Sequence, residues 1–259
     1  MLSLVYFETH TWVASAAIGF ARLAPVFFIL PFLNGGILSG LLRISVTMLV
    51  AVGIWPHTLE RMPNFQTIDF IFLFSREVML GLLLGFLLAW PFWVFHALGS
   101  IIDNQRGATL SSTIDPANGV DTSEMANFLN IFAAVVYLQG GGMLLVLETF
   151  RESYVLCQPF GRCMPVLPML WWFINNVASQ ALVVASPVIA ALLLSEVLLG
   201  LLSRFSPQMN AFAISLTVKS GIAFFIILLY FSPVLPERVM QLAFPAAELP
   251  SWLKESKKD

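Results

Sequence analysis

Charged residues, metal ligands and catalytic motifs are all scarce in this chain of 259 residues, and each scarcity excludes a class of protein. Only 11% of the residues are charged and the formal net charge is -2, so there is no basic surface for nucleic acid. The three histidines are isolated, and no HExxH motif, GxSxG elbow, phosphate loop or dinucleotide fingerprint occurs. We therefore expect no enzyme active site, no metal or cofactor, and no nucleic-acid partner.

Cysteine is equally rare. Cys157 and Cys163, in CQPFGRC, have neither the spacing of a CxxC redox pair nor that of a zinc site. Two free thiols are one interpretation, and a small disulfide loop is the other if this segment faces an oxidising periplasm. The residues before the first apolar segment include Glu8 but no Lys or Arg, so a cleaved secretory signal is not expected.

Apolar residues, in contrast, make up 58% of the chain, and the mean hydropathy is +0.85. This composition is typical of an integral membrane protein or a component of a membrane assembly. Apolar stretches long enough for membrane-scale helices predict an all-α fold. Six of them occur, at about 12–33, 38–55, 68–102, 125–149, 167–202 and 211–231.

Prolines predict interruptions in several of these stretches. The third and fifth exceed the roughly 20 residues of one crossing and contain Pro91 and Pro187, where a helix is predicted to kink or to break into two helices in tandem. Pro25 and Pro31 predict a broken helix in the first stretch. Broken helices need protein or a cavity to satisfy the freed backbone groups, which favours a pore, a transporter or a packed assembly over a lipid-facing anchor.

Helix starts and the chain end are also readable. Asp121 with Glu124 has the form of a capping box, and Ser206 before Pro207 fits a helix N-terminus. The proline-rich segment 232–259 is predicted to be an irregular, solvated tail. We therefore expect a single hydrophobic helical domain over residues 1–231, followed by that tail.

Charged residues lie within or beside the apolar stretches, where each costs about 2.5–3.5 kcal/mol at the centre of a membrane helix. They must therefore face protein, water or one another. Arg76 and Glu77 are adjacent, and Glu196 lies two helical turns before Arg204. Pairing within the chain and pairing with partner chains both remain open, and our hypothesis is that sister polypeptides around a conduit neutralise these groups. The residues concerned are Arg22, Arg76, Glu77, Glu196, Arg204 and Lys219.

The distribution of basic residues gives a topology if six simple crossings are assumed. Most Lys and Arg side chains then fall on the side of the amino terminus, which predicts that both termini are cytoplasmic. The residues on that side are Arg61, Arg151, Arg162, Arg238, Lys254, Lys257 and Lys258.

The stretch from Asp103 to Glu124 is a long polar loop in an otherwise apolar chain. Connections of this length are usually functional or disordered, and polar backbone among membrane-scale helices indicates a water-filled passage. Asp115 and Asp121 lie among turn residues and need no catalytic explanation. The loop therefore indicates transport rather than chemistry, although a merely solvated connector is the alternative.

Three segments together resemble the R/T component of type III secretion export apparatuses. They are ARLAPVFFILPFL, DNQRGATLSSTIDP and SEVLLGLLSRFSPQMNAF, and the resemblance spans nearly the whole chain. The overall run of segments is most similar to the SpaR type of invasion injectisomes. The sequence LTVKSG around Lys219 lacks the proline expected in flagellar members.

This resemblance implies kinked helical hairpins in a helical export gate of the bacterial inner membrane, raised towards the periplasm. The implied partners are the P/R-type and Q/S-type gate subunits, the U-type switch protein, the large V-type protein, membrane lipid, and the secreted polypeptides that pass through. It also implies that the loop plugs the closed pore and that no cofactor is needed. The residues implied in the plug are Asp103, Gln105, Arg106, Gly107, Thr109, Ser111, Ser112, Asp115, Pro116 and Gly119.

A small-solute secondary transporter with broken helices is the alternative from a different class. It is weaker, because the segment from Arg22 to Pro31 has no evident match around Pro187 in the other half of the chain. An intramembrane enzyme lacks both a nucleophile motif and a metal motif.

Overall fold

The computed structural model describes residues 2–56, 67–108, 123–159, 161, 163–165, 168–205, 211–231 and 233–255. It confirms the all-α prediction, and strand structure in these residues is limited to two three-residue strands. The helices are α1 Leu2–Ile29, α2 Gly40–Ile54, α3 Thr67–Arg106, α4 Glu124–Gln139, α5 Gly142–Leu156, α6 Pro168–Phe205, α7 Ala211–Phe231, α8 Leu235–Gln241 and α9 Leu249–Trp252. The strands are β1 Cys163–Pro165 and β2 Leu253–Glu255.

The six apolar stretches correspond to helices, but the interruptions lie elsewhere than predicted. Pro25, Pro91 and Pro187 all lie inside continuous helices, so the predictions of a break at Pro25 and of tandem helices at Pro91 and Pro187 are wrong. At Pro187 the structure shows a physical reason. Proline cannot donate to the carbonyl of Val183 four residues earlier, and the Ser186 hydroxyl donates to that carbonyl instead, at 2.8 Å.

Two other positions do end helices. Helix α1 stops at Ile29, two residues before Pro31, which disfavours helical backbone in the residue before it. The fourth apolar stretch is divided between α4 and α5, where Gly141 has a left-handed φ of 85° that favours glycine. The actual interruption therefore comes from a glycine pair and not from a proline.

The chain forms two compact units rather than the single domain expected over 1–231. Unit 1 comprises Met1–Trp90, Gly141–Trp171 and Ala243–Asp259. In it, α1 and α2 form an antiparallel hairpin, because Gly19 leaves space for Trp55 and Ala51, and the Arg43 guanidinium stacks on Phe28 at 3.8 Å.

Unit 2 comprises Pro91–Gly140 and Trp172–Leu242. Its part of α3 runs antiparallel to α4, as two aromatic pairs show. Phe92 packs edge-on against Tyr137 with ring centroids 5.2 Å apart, and Phe95 lies 6.4 Å from Phe132. This hairpin carries the polar loop at its tip.

The carboxyl-terminal segment is not the irregular, solvated tail that its prolines predict. Residues 233–255 contain α8, a 3-10 turn at Ala246–Glu248, α9 and β2. Trp252 is buried and packs edge-on against Phe244, and β2 pairs antiparallel with β1. The prolines do not prevent this structure, because α8 and α9 each have one in the first turn, where proline is tolerated. The buried apolar side chains of the segment hold it in place.

Three helical segments in the described residues are long and apolar enough to cross a membrane: Trp12–Ile29, Asp69–Arg106 and Ile174–Phe205. The pair α4 and α5 would make a fourth if counted as one broken span. Their surroundings differ strongly. The segment in α3 is 72% buried within the protein, whereas the segment in α6 is only 28% buried. Of the three segments, the one in α6 therefore leaves the largest share of its residues outside the protein interior.

Candidate functional site: the base of the polar loop and the buried charges

Helix α3 ends at the loop through a Schellman motif. The Ala108 N–H donates to the Asp103 carbonyl at 3.0 Å, and the Gly107 N–H donates to the Asn104 carbonyl at 3.2 Å. Gly107 has φ of 80°, the left-handed conformation that this motif requires and that glycine adopts without strain. The sequence pattern around Gly107 thus terminates the helix sharply.

Helix α4 begins on the other side of the loop with Ser123 as its N-cap. The Ser123 hydroxyl accepts from the Ala126 N–H at 3.1 Å, and the helix starts at Glu124. The prediction that Asp121 caps the helix in a capping box with Glu124 is therefore wrong, because the N-cap is Ser123, two positions later. The signal for Ser123 was present, because serine directly before an acidic residue and an apolar run is a typical helix start.

The Asp103 carboxylate joins the two ends of the loop. One of its oxygens accepts from the Arg106 Nε at 2.7 Å. The other accepts from the Ser123 hydroxyl at 2.6 Å and from the Met125 N–H at 3.1 Å. The carboxylate is 2% exposed, so these charge-assisted bonds form largely out of water and are stronger for it.

The charges at this base also complement the helix dipoles. The Asp103 carboxylate contacts the first turn of α4, where negative charge is favourable, and Arg106 lies in the last turn of α3, where positive charge is favourable. The Arg106 guanidinium carbon also lies 5.1 Å from the ring centre of Phe224 in α7. The base is therefore an ordered clamp; we call Asp103, Arg106, Gly107 and Ser123 the loop clamp.

The remaining loop residues are distributed as follows. Gln105 is exposed on the last turn of α3. The other predicted plug residues lie outside the described part of the chain, namely Thr109, Ser111, Ser112, Asp115, Pro116 and Gly119.

A second polar cluster is buried in unit 1, around Arg22. Both Arg22 and Glu77 are fully buried, and the Arg22 Nε donates to the Glu77 carboxylate at 2.5 Å. The Arg22 Nη1 donates to the Ser153 carbonyl at 3.0 Å, and its Nη2 donates to the Cys157 carbonyl at 2.9 Å. The Tyr154 ring covers the guanidinium at 4.1 Å. The cation is thus neutralised and solvated by protein groups.

Arg76 completes this cluster. Its Nη2 donates to the second oxygen of Glu77 at 2.8 Å, and its guanidinium also donates to the carbonyls of Pro159 and Gly161. Arg22, Arg76 and Glu77 are therefore paired inside this chain, contrary to the hypothesis that sister polypeptides neutralise them. Residues 55 positions apart in sequence meet here, which no local pattern predicts.

The charges in unit 2 pair differently from the expectation. Glu196 accepts from the Lys219 Nζ at 3.1 Å, whereas the sequence spacing suggested Arg204 as its partner. Arg204 is exposed near the end of α6. Pro207 lies outside the described residues. Glu196 is 57% exposed, so this ion pair is much less buried than the one at Arg22.

Small residues bring helix backbones together beside both clusters. A Cβ added to Gly81 would lie 2.1 Å from the Arg22 carbonyl oxygen, and one at Gly85 would lie 2.7 Å from Ile29. In unit 2, a Cβ at Gly99 would lie 2.4 Å from the Cα of Ala126. Gly81 and Gly85 have the small-xxx-small spacing, but the role of Gly99 was not predicted from the sequence.

The described residues contain no group of three or more His, Cys, Asp or Glu side chains that could hold a metal ion. What the two clusters provide is hydrogen bonding and charge neutralisation, one holding a polar loop and one joining α1, α3 and the end of α5. In the described residues, both clusters therefore act as structural contacts between helices.

Comparisons with known proteins agree with that interpretation. The family model described as "Bacterial export proteins, family 1" matches residues 13–243. The chain is 64% identical over 255 residues to the surface presentation of antigens protein SpaR of Salmonella typhimurium, covering 98% of this chain and 97% of that protein. It is 55% identical to the SpaR protein of Shigella flexneri over 220 residues, which are 83% of this chain and 86% of that one.

A more distant relative is the Yop proteins translocation protein T of Yersinia pestis, 34% identical over 217 residues, or 81% of this chain and 82% of that protein. The expected resemblance to the export family and to SpaR is confirmed, and so is the prediction that the chain is not an enzyme, since the family consists of export components. This chain therefore belongs to the bacterial export proteins, family 1.

Proposed function

We propose that this chain is a subunit of the type III secretion export apparatus in the bacterial inner membrane, and that its polar loop plugs the closed channel. The relatives named for antigen presentation and for Yop translocation support the first part. The three membrane-length helical segments support the location. Unfolded effectors and needle subunits would pass through a channel built with P/R-type and Q/S-type subunits, next to the U-type switch protein and the V-type protein.

The loop clamp is the observation that supports the plug. A removable plug needs fixed ends, so that it can leave the channel without unwinding the helices that carry it. Asp103 fixes the ends of the loop, because its carboxylate accepts hydrogen bonds from Ser123 and Met125 at the start of α4, 20 and 22 positions further along the chain. Because the clamp holds the ends together, the loop itself needs little internal packing, and its displacement costs little local stability. Its small polar residues suit that role.

The intramembrane groups also fit an assembly of unlike subunits. The cluster at Arg22 is neutralised within the chain, while the apolar surface of α6 remains largely exposed. An exposed surface of this kind is covered by lipid or by another hydrophobic chain. Glu196 stands on that surface with its carboxylate 57% exposed, which favours a protein neighbour over lipid.

Deletion of residues 108–118 tests the plug. We expect the variant to copurify with the P/R-type and Q/S-type subunits at the wild-type level, and to make the inner membrane permeable to small ions. Permeability would be followed by the loss of membrane potential in cells that produce the complete gate. The matched control is the same variant produced without its partner subunits, which should not leak because the channel needs the assembly.

A sealed membrane around an intact complex would refute the plug. Purification of the wild-type chain as a stable solitary protein or small homo-oligomer would refute the subunit role and favour a secondary transporter. The relatives named for antigen presentation and for Yop translocation favour the subunit role over a secondary transporter.

A further inference from the structure

The turn between α5 and β1 is closed by a disulfide that joins Cys157 and Cys163, whose Cα atoms are 5.5 Å apart. We call residues 157–163 the cystine turn. Of the two alternatives left open by the sequence, the structure has the disulfide and not the pair of free thiols. Both cysteines are almost completely buried, with 1% and 2% exposure.

The cystine turn is held by the buried charges of unit 1. Arg22 donates to the Cys157 carbonyl at 2.9 Å, and Arg76 donates to the carbonyls of Pro159 and Gly161. Two guanidinium groups share the single carboxylate of Glu77, so the carbonyl dipoles of the turn supply the rest of their stabilisation. The bond that fixes the turn therefore also fixes carbonyl acceptors of both guanidinium groups.

The turn is also joined to the carboxyl-terminal segment. Strand β1 begins at Cys163, which pairs with Glu255 of β2, and Pro165 pairs with Leu253. Leu253 and the preceding Trp252 are buried. A membrane cannot pass between paired strands, so the cystine turn and residues 253–255 lie on the same side of it.

We propose that the Cys157–Cys163 bond is made on the oxidising, periplasmic side of the inner membrane, and that the cystine turn and β2 both face the periplasm. The proposal rests on the inner-membrane location given under the proposed function. Disulfides persist in the periplasm, whereas cytosolic reductants keep thiols reduced. A structural disulfide that fixes acceptors of the fully buried Arg22 and the partly buried Arg76 belongs on the side where it survives.

This orientation is the reverse of the one that the basic residues predict, which placed Arg151, Arg162 and Lys254 in the cytoplasm. That rule assumes simple crossings with short flanking loops. The described residues contain three membrane-length helical segments, or four with the broken pair, together with two shorter apolar helices, so helix length alone gives three or four crossings rather than six. The proposed orientation therefore follows from the disulfide and not from the charge count.

Formation of the bond follows ordinary thiol–disulfide exchange with a periplasmic disulfide-carrying oxidoreductase as the oxidant. The thiolate of one cysteine attacks the carrier's disulfide, forming a mixed disulfide and releasing one carrier thiolate. The thiolate of the other cysteine then attacks the mixed disulfide, which forms the Cys157–Cys163 bond and releases the second carrier thiolate. The cysteines lose two electrons and two protons, and the carrier is left as a dithiol. The exchange precedes final packing, because both sulfurs are buried afterwards.

Thiol alkylation tests the bond in cells. Cells that produce the complete apparatus are quenched in acid, and the protein is denatured. It is then treated, with and without prior reduction, with a maleimide-linked polyethylene glycol that adds mass to each free thiol. We expect no mass shift without reductant and a shift of two labels with it. In cells lacking the periplasmic disulfide carrier we expect two labels without reductant, and added cystine should restore the bond. Two labels without reductant in normal cells would overturn the proposal.

Reporter fusions after Asp259 test the side of the membrane independently. Alkaline phosphatase is active only in the periplasm, and green fluorescent protein exported unfolded does not fluoresce there. We expect an active phosphatase fusion and a dark fluorescent fusion. The reverse result would overturn the orientation. If the fusions contradict the orientation while the loop deletion still copurifies with its partners and leaks ions, the proposed function stands. If the fusions and the alkylation agree with the proposal but the deletion neither copurifies nor leaks, the result counts against the function and not against the disulfide.

Discussion

Replacing Glu77 by Ala is the sharpest test of the buried cluster in unit 1. The change removes the one carboxylate that serves both Arg22, at 2.5 Å, and Arg76, at 2.8 Å. Arg22 is fully buried, so after the substitution its positive charge keeps the carbonyl and hydroxyl of Ser153, the carbonyl of Cys157 and the Tyr154 ring, but no carboxylate. A buried cation without its counterion is the expected result.

The magnitude follows from that uncompensated charge. Breaking a buried pair by removing one partner costs about 3–5 kcal/mol, which lowers the folded-to-unfolded ratio by about two to four powers of ten. Removing both charges of the fully buried pair should cost less. In the double variant Arg22→Met with Glu77→Leu, the Ser153 carbonyl still accepts from the Cys157 N–H at 2.9 Å, and the Cys157 carbonyl loses its donor from Arg22, at about 1–3 kcal/mol. Arg76 also loses Glu77, but its side chain is 15% exposed and keeps the carbonyls of Pro159 and Gly161.

The assay is unfolding of the purified chain by sodium dodecyl sulfate in mixed detergent micelles, followed by circular dichroism. The single variants Arg22→Met and Glu77→Leu form a cycle with the double variant, and this cycle isolates the pairwise energy. We expect the double variant to be more stable than Glu77→Ala. The reasoning is refuted if Glu77→Ala costs less than about 1 kcal/mol, or if the double variant loses as much as both singles together.

Three further substitutions test the other contacts by the same assay. Gly81→Ala should cost about 1–3 kcal/mol, because the added Cβ would lie 2.1 Å from a carbonyl oxygen of α1, whereas the control Gly53→Ala meets nothing within 4 Å and should be neutral or up to about 1 kcal/mol stabilising; equal effects would contradict the close helix approach. Asp103→Ala removes the acceptor of the Arg106 Nε, the Ser123 hydroxyl and the Met125 N–H, and should cost about 1–3 kcal/mol, with a smaller loss for Asp103→Asn. A neutral Asp103→Ala would contradict the clamp. Glu196→Ala should change the stability of the isolated chain by less than about 1 kcal/mol, because the carboxylate paired with Lys219 is 57% exposed; a larger loss would show that the pair is more buried than the structure indicates.

Much of the fold follows from short-range patterns in the sequence. Long apolar runs determine where the helices lie, because a helix in an apolar surrounding needs only its own hydrogen bonds. Gly107 ends α3 and Ser123 starts α4 through contacts that reach no further than one helical turn. Helix starts and ends of this kind depend only on neighbouring residues, so the positions of the two helices and of the polar loop between them can be predicted from the sequence.

Helix breaks at prolines and ion pairs between charged residues were predicted less well, because both depend on the groups that lie around them in the folded chain. Pro187 does not break α6, since the Ser186 hydroxyl satisfies the carbonyl that proline leaves free. The prolines of the carboxyl-terminal segment occupy helix starts, and buried side chains such as Trp252 hold that segment in place. The sequence shows the disruptive residue but not the neighbour that compensates for it.

The sequence by itself determined that this is an apolar, helical export-family chain with one polar loop between two helices. Only the tertiary structure decided which charges meet. Arg22 bonds to Glu77 and to Cys157 of the cystine turn, which lie 55 and 135 residues away in the sequence. Glu196 pairs with Lys219, although Arg204 is closer to it in the sequence. The physical reason is that a buried charge is neutralised by whatever group the path of the chain brings within hydrogen-bonding distance, and that path is set by the packing of whole helices.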